Sequence, residues 1–202
     1  MTKLYKTFMR HAAKVTRSPA IGEREVLTGV KHYENGSLAV TDSHRLYVAK
    51  GLHDKGEALL TPKGAKVEGK YPDIDRLIPD ELDARSIEMN LAEMLQAVDV
   101  LNTAAKIEDY DISWQGNLLT TLGNGEAPEH LIKASYEIPY SLPIPEGDRM
   151  IFDPAYLLEA LQLFKAFKYE ELAFHFHDKY RPAVLMAPDG KLFAIVLPKR
   201  RY

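Results

Sequence analysis

The 202-residue sequence contains no cysteine and no apolar run long enough to span a membrane. Without cysteine there is neither a disulfide framework nor thiolate chemistry, which favours an intracellular location. The segment MTKLYKTFMRHAAK at the start is charged throughout, so we expect no signal peptide. The sequence predicts a soluble, cytoplasmic, globular protein with no membrane partner, holding one large domain or two small ones.

Basic and acidic residues are unevenly distributed along the chain, although the net charge is only −3. Residues 1–80 carry 14 Lys or Arg against 10 Asp or Glu, whereas residues 81–202 carry 12 against 19. Five basic residues also precede the first acidic residue, Glu23. This distribution indicates an anionic partner for the front of the chain.

Two stretches, SIEMNLAEMLQAVDVL from Ser86 and RMIFDPAYLLEALQLF from Arg149, share a pattern of strand, cap and amphipathic helix. Asn90 and Asp153 fall at the same place in the two stretches, and both residue types are good N-caps. Glu93 follows Asn90 as in a capping box, and Pro154 suits the first helical position. Another helix is predicted near residues 2–16.

Each predicted helix is followed by short alternating runs separated by turn signals, at Asn35-Gly36, Gln115–Asn117, Asn124-Gly125 and Asp189-Gly190. The chain thus divides into three helix-plus-strands units. This pattern predicts the α+β class, with helices packed on one face of antiparallel sheets.

The first helix has a basic stripe. At about 100° per residue its five basic side chains fall within an arc of roughly 80°: Lys3, Lys6, Arg10, Lys14 and Arg17. Leu4, Phe8, Ala12 and Val15 lie opposite and are predicted to pack on a core. Like charges at this spacing destabilise a helix by a few tenths of a kcal/mol each, so the stripe suggests contact with DNA phosphates. The alternative is a merely solvated face.

Candidate enzyme motifs are weak. Asp42, Ser43 and His44 are triad residue types, but neighbours in an extended chain point to opposite faces. His175, His177 and Asp178 could suggest a metal site; the alternative is that Phe174 and Phe176 face the core while both His face solvent. The segment GAKVEGK (64–70) is followed by Tyr71 and not by Ser or Thr, so a complete phosphate-binding GxxxxGK[ST] loop is absent. We therefore predict no enzyme activity, no catalytic residue, no metal and no cofactor.

Three segments resemble the bacterial DNA sliding clamp, the β subunit of the replicative DNA polymerase. LAVTDSHRLYVA (38–49), GKYPDIDRLIP (69–79) and LFAIVLPKR (192–200) are similar to the family's ATDGHRLA, FPDYRRVLP and YVIMPMR segments and occur in the same order. FDPAYLLEAL resembles the helix of the family's last unit. The resemblance implies a clamp-like fold over nearly the whole chain, with residues 1–80 similar to a reduced second domain and residues 81–202 to a complete third domain.

The resemblance also implies a function. A sliding clamp is a homo-oligomeric processivity factor for DNA replication that encircles double-stranded DNA without sequence preference and tethers a DNA polymerase. Its further partners are the clamp loader and other clamp-binding proteins, whose short linear peptides dock in a hydrophobic pocket between the two domains. Carried over by motif, the pocket residues are Leu27, Thr41, His44, Arg45, Leu46, Pro72, Arg76, Leu77, Ile195, Val196, Leu197, Pro198 and Arg200.

The sequence departs from the family at several points. Ser43 stands where glycine is usual, and Lys199 stands where an apolar residue is usual. The family's first domain has no counterpart, so three of six helix-strand units remain and a two-chain ring could not close in the usual way. A reduced clamp of this kind would fit a phage or mobile element. The alternative function is a clamp mimic that binds clamp-interacting proteins without encircling DNA.

Overall fold

The computed structural model describes residues 2–74, 77, 85–108, 110–123, 133–145 and 147–200. The contacts divide the chain into two compact units. The first unit comprises Met1–Leu82 with Asp189–Ile195, and the second comprises Asp83–Pro188 with Val196–Tyr202. The predicted domain boundary after residue 80 and the predicted turn at Asn124-Gly125 both lie outside the described residues. Which domain of the clamp family each unit corresponds to stays a prediction.

The first unit contains one helix, two 3₁₀ turns and antiparallel strands. The helix is α1 (Lys3–Val15), and the 3₁₀ turns cover Pro19–Ile21 and Glu25–Thr28. The strands are β1 (Val30–His32), β2 (Leu38–Thr41), β3 (Arg45–Ala49), β4 (Ala58–Leu60) and, apart from its last residue, β12 (Leu192–Val196). Their order in the sheet is β4-β1-β2-β3-β12.

The β1–β2 hairpin turns at Asn35-Gly36, as the sequence predicts. The backbone N–H of Tyr33 donates to the carbonyl of Ser37 at 2.9 Å and closes the turn. Gly36 has a φ of +83°, and a Cβ at this position would lie 2.5 Å from the carbonyl oxygen of His53. Both the backbone conformation and the close approach therefore require glycine here.

Helix α1 packs on β2 and β3 through a face that includes Phe8, Ala12 and Val15, as predicted. The predicted core position of Leu4 is wrong, because its side chain is 41% exposed. Tyr5 and Met9 are buried instead. At about 100° per residue Leu4 falls between the buried Thr7 and Val15 around the helix, so its exposure follows from its place in the first turn and not from its face.

The second unit contains two helices and two groups of antiparallel strands. Its elements in chain order are β5 (Ser86–Asn90), α2 (Leu91–Glu108), β6 (Asp111–Gln115), β7 (Leu118–Leu122), β8 (Ser135–Glu137), β9 (Met150–Phe152), α3 (Pro154–Ala166), β10 (Glu171–His175) and β11 (Ala183–Met186). The strand orders are β11-β10-β5 and β8-β7-β6-β9. Buried aromatic side chains fill this unit, and the ring centroids of Trp114 and Phe174 lie 5.0 Å apart.

Both predicted N-caps of the internal repeat are confirmed. The Oδ1 of Asn90 accepts hydrogen bonds from the N–H groups of Ala92 and Glu93 at 2.9 and 3.2 Å. Asp153 does the same for α3, with Pro154 at the first helical position. The capping box differs from the expected form, because the hydroxyl of Tyr140 accepts from the Asn90 N–H and donates to the Glu93 carboxylate.

The predicted fold class is also confirmed. Each of α1, α2 and α3 is followed by antiparallel strands, and α2 and α3 pack against each other in the second unit. The predicted turns at Gln115–Asn117 and Asp189-Gly190 join β6 to β7 and β11 to β12, with positive φ at Gly116 and Gly190. The described chain is thus three helix-plus-strands units.

Candidate functional site

The basic stripe of α1 faces solvent. The side chains of Lys3, Lys6, Arg10, Lys14 and Arg17 are all exposed. The helix ends at Val15 with Thr16 as its C-cap, so Arg17 lies just beyond the last helical turn. No acidic residue occurs in the helix sequence KLYKTFMRHAAKV. The stripe therefore presents an unmixed positive surface, suited to contact with phosphates.

A cavity of about 510 Å³ lies along one edge of this stripe, within the first unit. Lys6, Arg10 and Arg17 line it from the α1 side, and Lys55 and Lys63 line it from the loops around β4. Sequence reasoning missed these two lysines, since neither lies in a periodic element. Only the fold brings them beside residues about fifty positions earlier in the chain.

The β2–β3 hairpin holds four of the predicted pocket residues, with His44 in its turn: Thr41, His44, Arg45 and Leu46. Asp42 organises this turn, because its Oδ1 accepts the N–H groups of His44 and Arg45 at 3.0 Å each. Its Oδ2 accepts a charge-assisted hydrogen bond from Arg45 Nε at 3.2 Å. Arg45 is consequently only 5% exposed, so its guanidinium is bound inside its own turn rather than at a rim.

A second segment of predicted residues is anchored close to this turn. The hydroxyl of Tyr71 accepts a hydrogen bond from the N–H of Thr41 at 3.0 Å. Burial raises the pKa of the Tyr71 phenol well above its usual range, so it stays protonated. The neighbouring Pro72 is exposed, and Leu77 is 50% exposed. Arg76 lies outside the described residues.

Three predicted pocket residues of the first unit belong to its interior. Leu27, Leu46 and Ile195 are 1%, 2% and 4% exposed. Leu46 lies on β3 and Ile195 on the neighbouring strand β12. These three side chains are therefore part of the core. His44, Pro72 and Leu77 reach solvent.

The predicted residues of the second unit form its C-terminal tail. Val196 and Pro198 are buried, whereas Leu197 and Arg200 are exposed. Lys199 fixes the tail: its backbone N–H donates to the carbonyl of Ile151 at 2.7 Å, and its Nζ lies 2.6 Å from Asp111 Oδ1.

The side chain of Lys199 thus forms an ion pair where the family usually has an apolar residue. Its Nζ also lies 3.6 Å from the Asp153 carboxylate, which caps α3. Partial burial alone would lower the pKa of Lys199, but the hydrogen bond to Asp111 and the charge of Asp153 outweigh burial and raise it. The ammonium therefore stays charged and keeps the tail attached at neutral pH.

The residues considered for enzymatic roles are otherwise engaged. Ser43 Oγ accepts a hydrogen bond from Arg24 Nη1 at 2.7 Å, and Asp42 binds backbone N–H groups of its own turn. Phe174 and Phe176 are buried and His177 is exposed, as the core interpretation expects, but His175 is half-buried and does not fully face solvent. Within the described parts of the chain, no three His, Cys, Asp or Glu side chains converge as metal ligands. The described helices likewise include none that is long and apolar enough to cross a membrane.

No protein-family model and no curated protein matches the sequence. Solved structures do match. The DNA polymerase sliding clamp from Bacillus subtilis aligns with a TM-score of 0.73 and 24% identity over 99% of this chain and 63% of its own. The β subunit of DNA polymerase from Streptococcus pyogenes aligns with a TM-score of 0.76 and 20% identity over 98% of this chain and 64% of its own.

A third match is the Helicobacter pylori β clamp bound to a DNA ligase peptide, with a TM-score of 0.72, 15% identity, and coverage of 97% of this chain and 63% of the other. At these identities the matches establish the fold. The chain spans about 64% of the length of the first matched clamps. It therefore has the fold of a shortened bacterial DNA sliding clamp.

Proposed function

We propose that this protein is a non-enzymatic, clamp-like processivity factor that contacts double-stranded DNA through α1 and keeps a DNA polymerase on its template. It acts in the cytoplasm as a homo-oligomer and docks short linear peptides of the polymerase, the clamp loader or other clamp-binding proteins. The observation that carries this proposal is the exposed, unmixed basic stripe of α1 on a sliding-clamp fold.

The DNA part of the proposal follows from the charge and exposure of the stripe. Lysine and arginine side chains on one helix face bind phosphates, which supply affinity without sequence information. The opposite face of α1 is occupied by the core, so the stripe is the surface of this helix that is left for a ligand. Binding is therefore expected to be sequence-independent and steeply dependent on salt.

The peptide part of the proposal rests on the predicted residues that reach solvent. In the first unit these are His44, Pro72 and Leu77, and in the second unit they are Leu197 and Arg200. Exposed leucines can bury peptide side chains, and an arginine can bind peptide carbonyls or carboxylates. Burying one Leu and one Phe of a peptide gives roughly 3–6 kcal/mol before costs, which is consistent with micromolar affinity. The H. pylori relative with its DNA ligase peptide supports this part by analogy.

The DNA part is tested by replacing Lys6, Arg10 and Lys14 together with alanine. Because these side chains are exposed and alanine is a good helix former, the fold should be retained. Duplex DNA binding is measured by fluorescence anisotropy over a salt series. We expect the slope of log affinity against log salt to fall by roughly 0.9 for each phosphate that the helix no longer neutralises.

A matched control replaces three other lysines with alanine. Lys50, Lys66 and Lys70 are exposed on the same unit but lie outside the stripe. This control removes the same charge and should keep most of the slope. Peptide binding should be unchanged in both variants. If the triple stripe variant binds DNA as well as the control does, the stripe is a solvated face and the DNA part of the proposal is wrong.

The clamp mimic remains the second candidate because of a separate observation on α2. The exposed positions of this helix include Glu93 and Asp99 together with the apolar Val100 and Ile107, which are 51% and 65% exposed. Apart from Lys106, α2 offers DNA phosphates no cation, and its exposed apolar positions are suited to protein. A parent chain that binds clamp-interacting peptides but no duplex DNA at low salt would favour the mimic.

A further inference from the structure

The cavity beside α1 differs in charge from a cavity of the second unit. In the second unit a cleft of about 640 Å³ between α2 and α3 is lined by Asp99 and Glu170 as well as Lys165. The 510 Å³ cavity of the first unit, which we name the basic groove, has five cations and no acid among its described lining residues: Lys6, Arg10, Arg17, Lys55 and Lys63. Concentrating five like charges around one concave surface raises the local positive potential and attracts polyanions.

Local contacts order the two loops that carry Lys55 and Lys63. Lys55 Nζ lies 5.8 Å from the centroid of the Tyr5 ring, a cation–π contact with a buried residue of the helix. Lys63 lies in a tight turn between Thr61 and Ala65. The N–H of Thr61 donates to the carbonyl of Ala65 at 2.7 Å, and the hydroxyl of Thr61 accepts from the N–H of Ala65 at 3.1 Å. The Lys55 ammonium and the backbone turn that carries Lys63 are therefore positioned before a ligand arrives.

The stripe of α1 is divided by this groove. Lys6, Arg10 and Arg17 lie on the edge that borders the groove, whereas Lys3 and Lys14 are outside its lining. We propose that the phosphate backbone of one DNA strand runs along the basic groove, so that Lys55 and Lys63 bind phosphates together with the helix. This inference rests on the proposed DNA function and extends the interface from one helix to two loops.

The extension explains why the cations come from separate elements. A single helix presents phosphate contacts along one line, but a strand of a duplex curves, and cations on both sides of a groove can follow it. The contacts go to phosphates only, so they strengthen binding of any sequence equally. An acidic protein segment is the other polyanion that could fit the basic groove, and the test distinguishes the two.

The experiment compares the double variant Lys55→Ala/Lys63→Ala with the double variant Lys50→Ala/Lys70→Ala in the full chain. All four lysines are exposed on the first unit, both variants remove two charges, and only the first pair lines the basic groove. Thermal unfolding checks that both variants fold. Binding of a duplex DNA probe and of a poly-glutamate probe is measured across a salt series.

We expect the groove variant to lower the salt slope for duplex DNA by about one to two, at about 0.9 per neutralised phosphate, while the control pair keeps the parent slope. If the parent binds DNA through the stripe but the groove variant keeps the parent slope, the groove inference is wrong and the proposed function stands. If the groove variant loses poly-glutamate binding alone, the ligand is an acidic protein and the inference is also overturned. If the parent binds no duplex, the proposed function fails together with it.

Discussion

The backbone of Ser43 has a φ of +79°, a conformation that residues other than glycine rarely adopt. Its position is the one where the sliding-clamp family usually has glycine, so the structure explains that preference physically. The hydroxyl compensates in part, because it accepts a hydrogen bond from Arg24. The side chain of Arg24 also donates to the carbonyls of Ile21 and Ala20, and thus ties the first 3₁₀ turn to the β2–β3 turn.

This strain leads to a stability prediction. Replacing Ser43 by Gly or by Ala removes the same hydrogen bond, but only glycine relieves the left-handed backbone. The strain costs about 1–2 kcal/mol, and the greater freedom of glycine in the unfolded chain offsets part of the gain. We expect Ser43→Gly to be about 1 kcal/mol more stable than Ser43→Ala in urea unfolding. Equal stability of the two variants would show that the turn carries no such strain.

Some contacts of single residues can be predicted from the local sequence and others cannot. Asn90 and Asp153 were identifiable as caps because their side chains bind N–H groups two and three residues ahead. The ion pair of Lys199 with Asp111 joins residues 88 positions apart, and no local pattern indicates it. The burial of Arg45 depends likewise on how the Asp42 turn packs, which no local pattern indicates.

At the scale of elements, the positions of the helices and hairpins were predicted better than the side chains that each element buries or exposes. Periodicity gave α1 and the repeat of α2 and α3, and Asn-Gly or Asp-Gly pairs gave the turns. The 3₁₀ turns were not predicted, and the basic groove could not be, because it depends on how the loops around β4 lie beside α1. The error at Leu4 has a related origin, since periodicity gives the buried face of a helix but not how far along the helix the core extends.

The C-terminal tail provides the prediction for peptide docking. Leu197 is 37% exposed beside buried neighbours, and Lys199 holds the tail in place. Replacing Leu197 by Glu removes apolar surface worth about 1.5–3 kcal/mol to a bound peptide, so binding should weaken about tenfold or more. Leu46 is unsuitable for this test because it is buried, and a charge there would disturb the core.

The matched control is Leu118→Glu on β7, where the side chain is 41% exposed and belongs to no predicted pocket. The affinity of both variants is measured by titration with a labelled peptide that bears the Gln-Leu-x-Leu-Phe type of motif of clamp-binding proteins. We expect the Leu118 variant to bind like the parent. Equal affinities for the Leu197 variant and the parent would contradict the role of the tail in peptide binding.

At the scale of the whole molecule, the main question is whether a chain of this charge and length encircles DNA. The basic residues of the front favour DNA, while residues 81–202 carry 12 basic against 19 acidic residues. The chain also spans about 64% of the length of the first matched clamps. Under the proposed function, encircling a duplex therefore requires several copies of a chain with three helix-plus-strands units.

Encirclement is the claim that separates a sliding clamp from a clamp mimic, and the molar mass in solution tests it most directly. One chain has a mass of 22.8 kDa. Light scattering coupled to size exclusion, at several protein concentrations and at low and physiological salt, should give a stable whole multiple of this mass. A mass of one chain under all these conditions, with and without duplex DNA, would contradict the ring and leave the clamp mimic as the function.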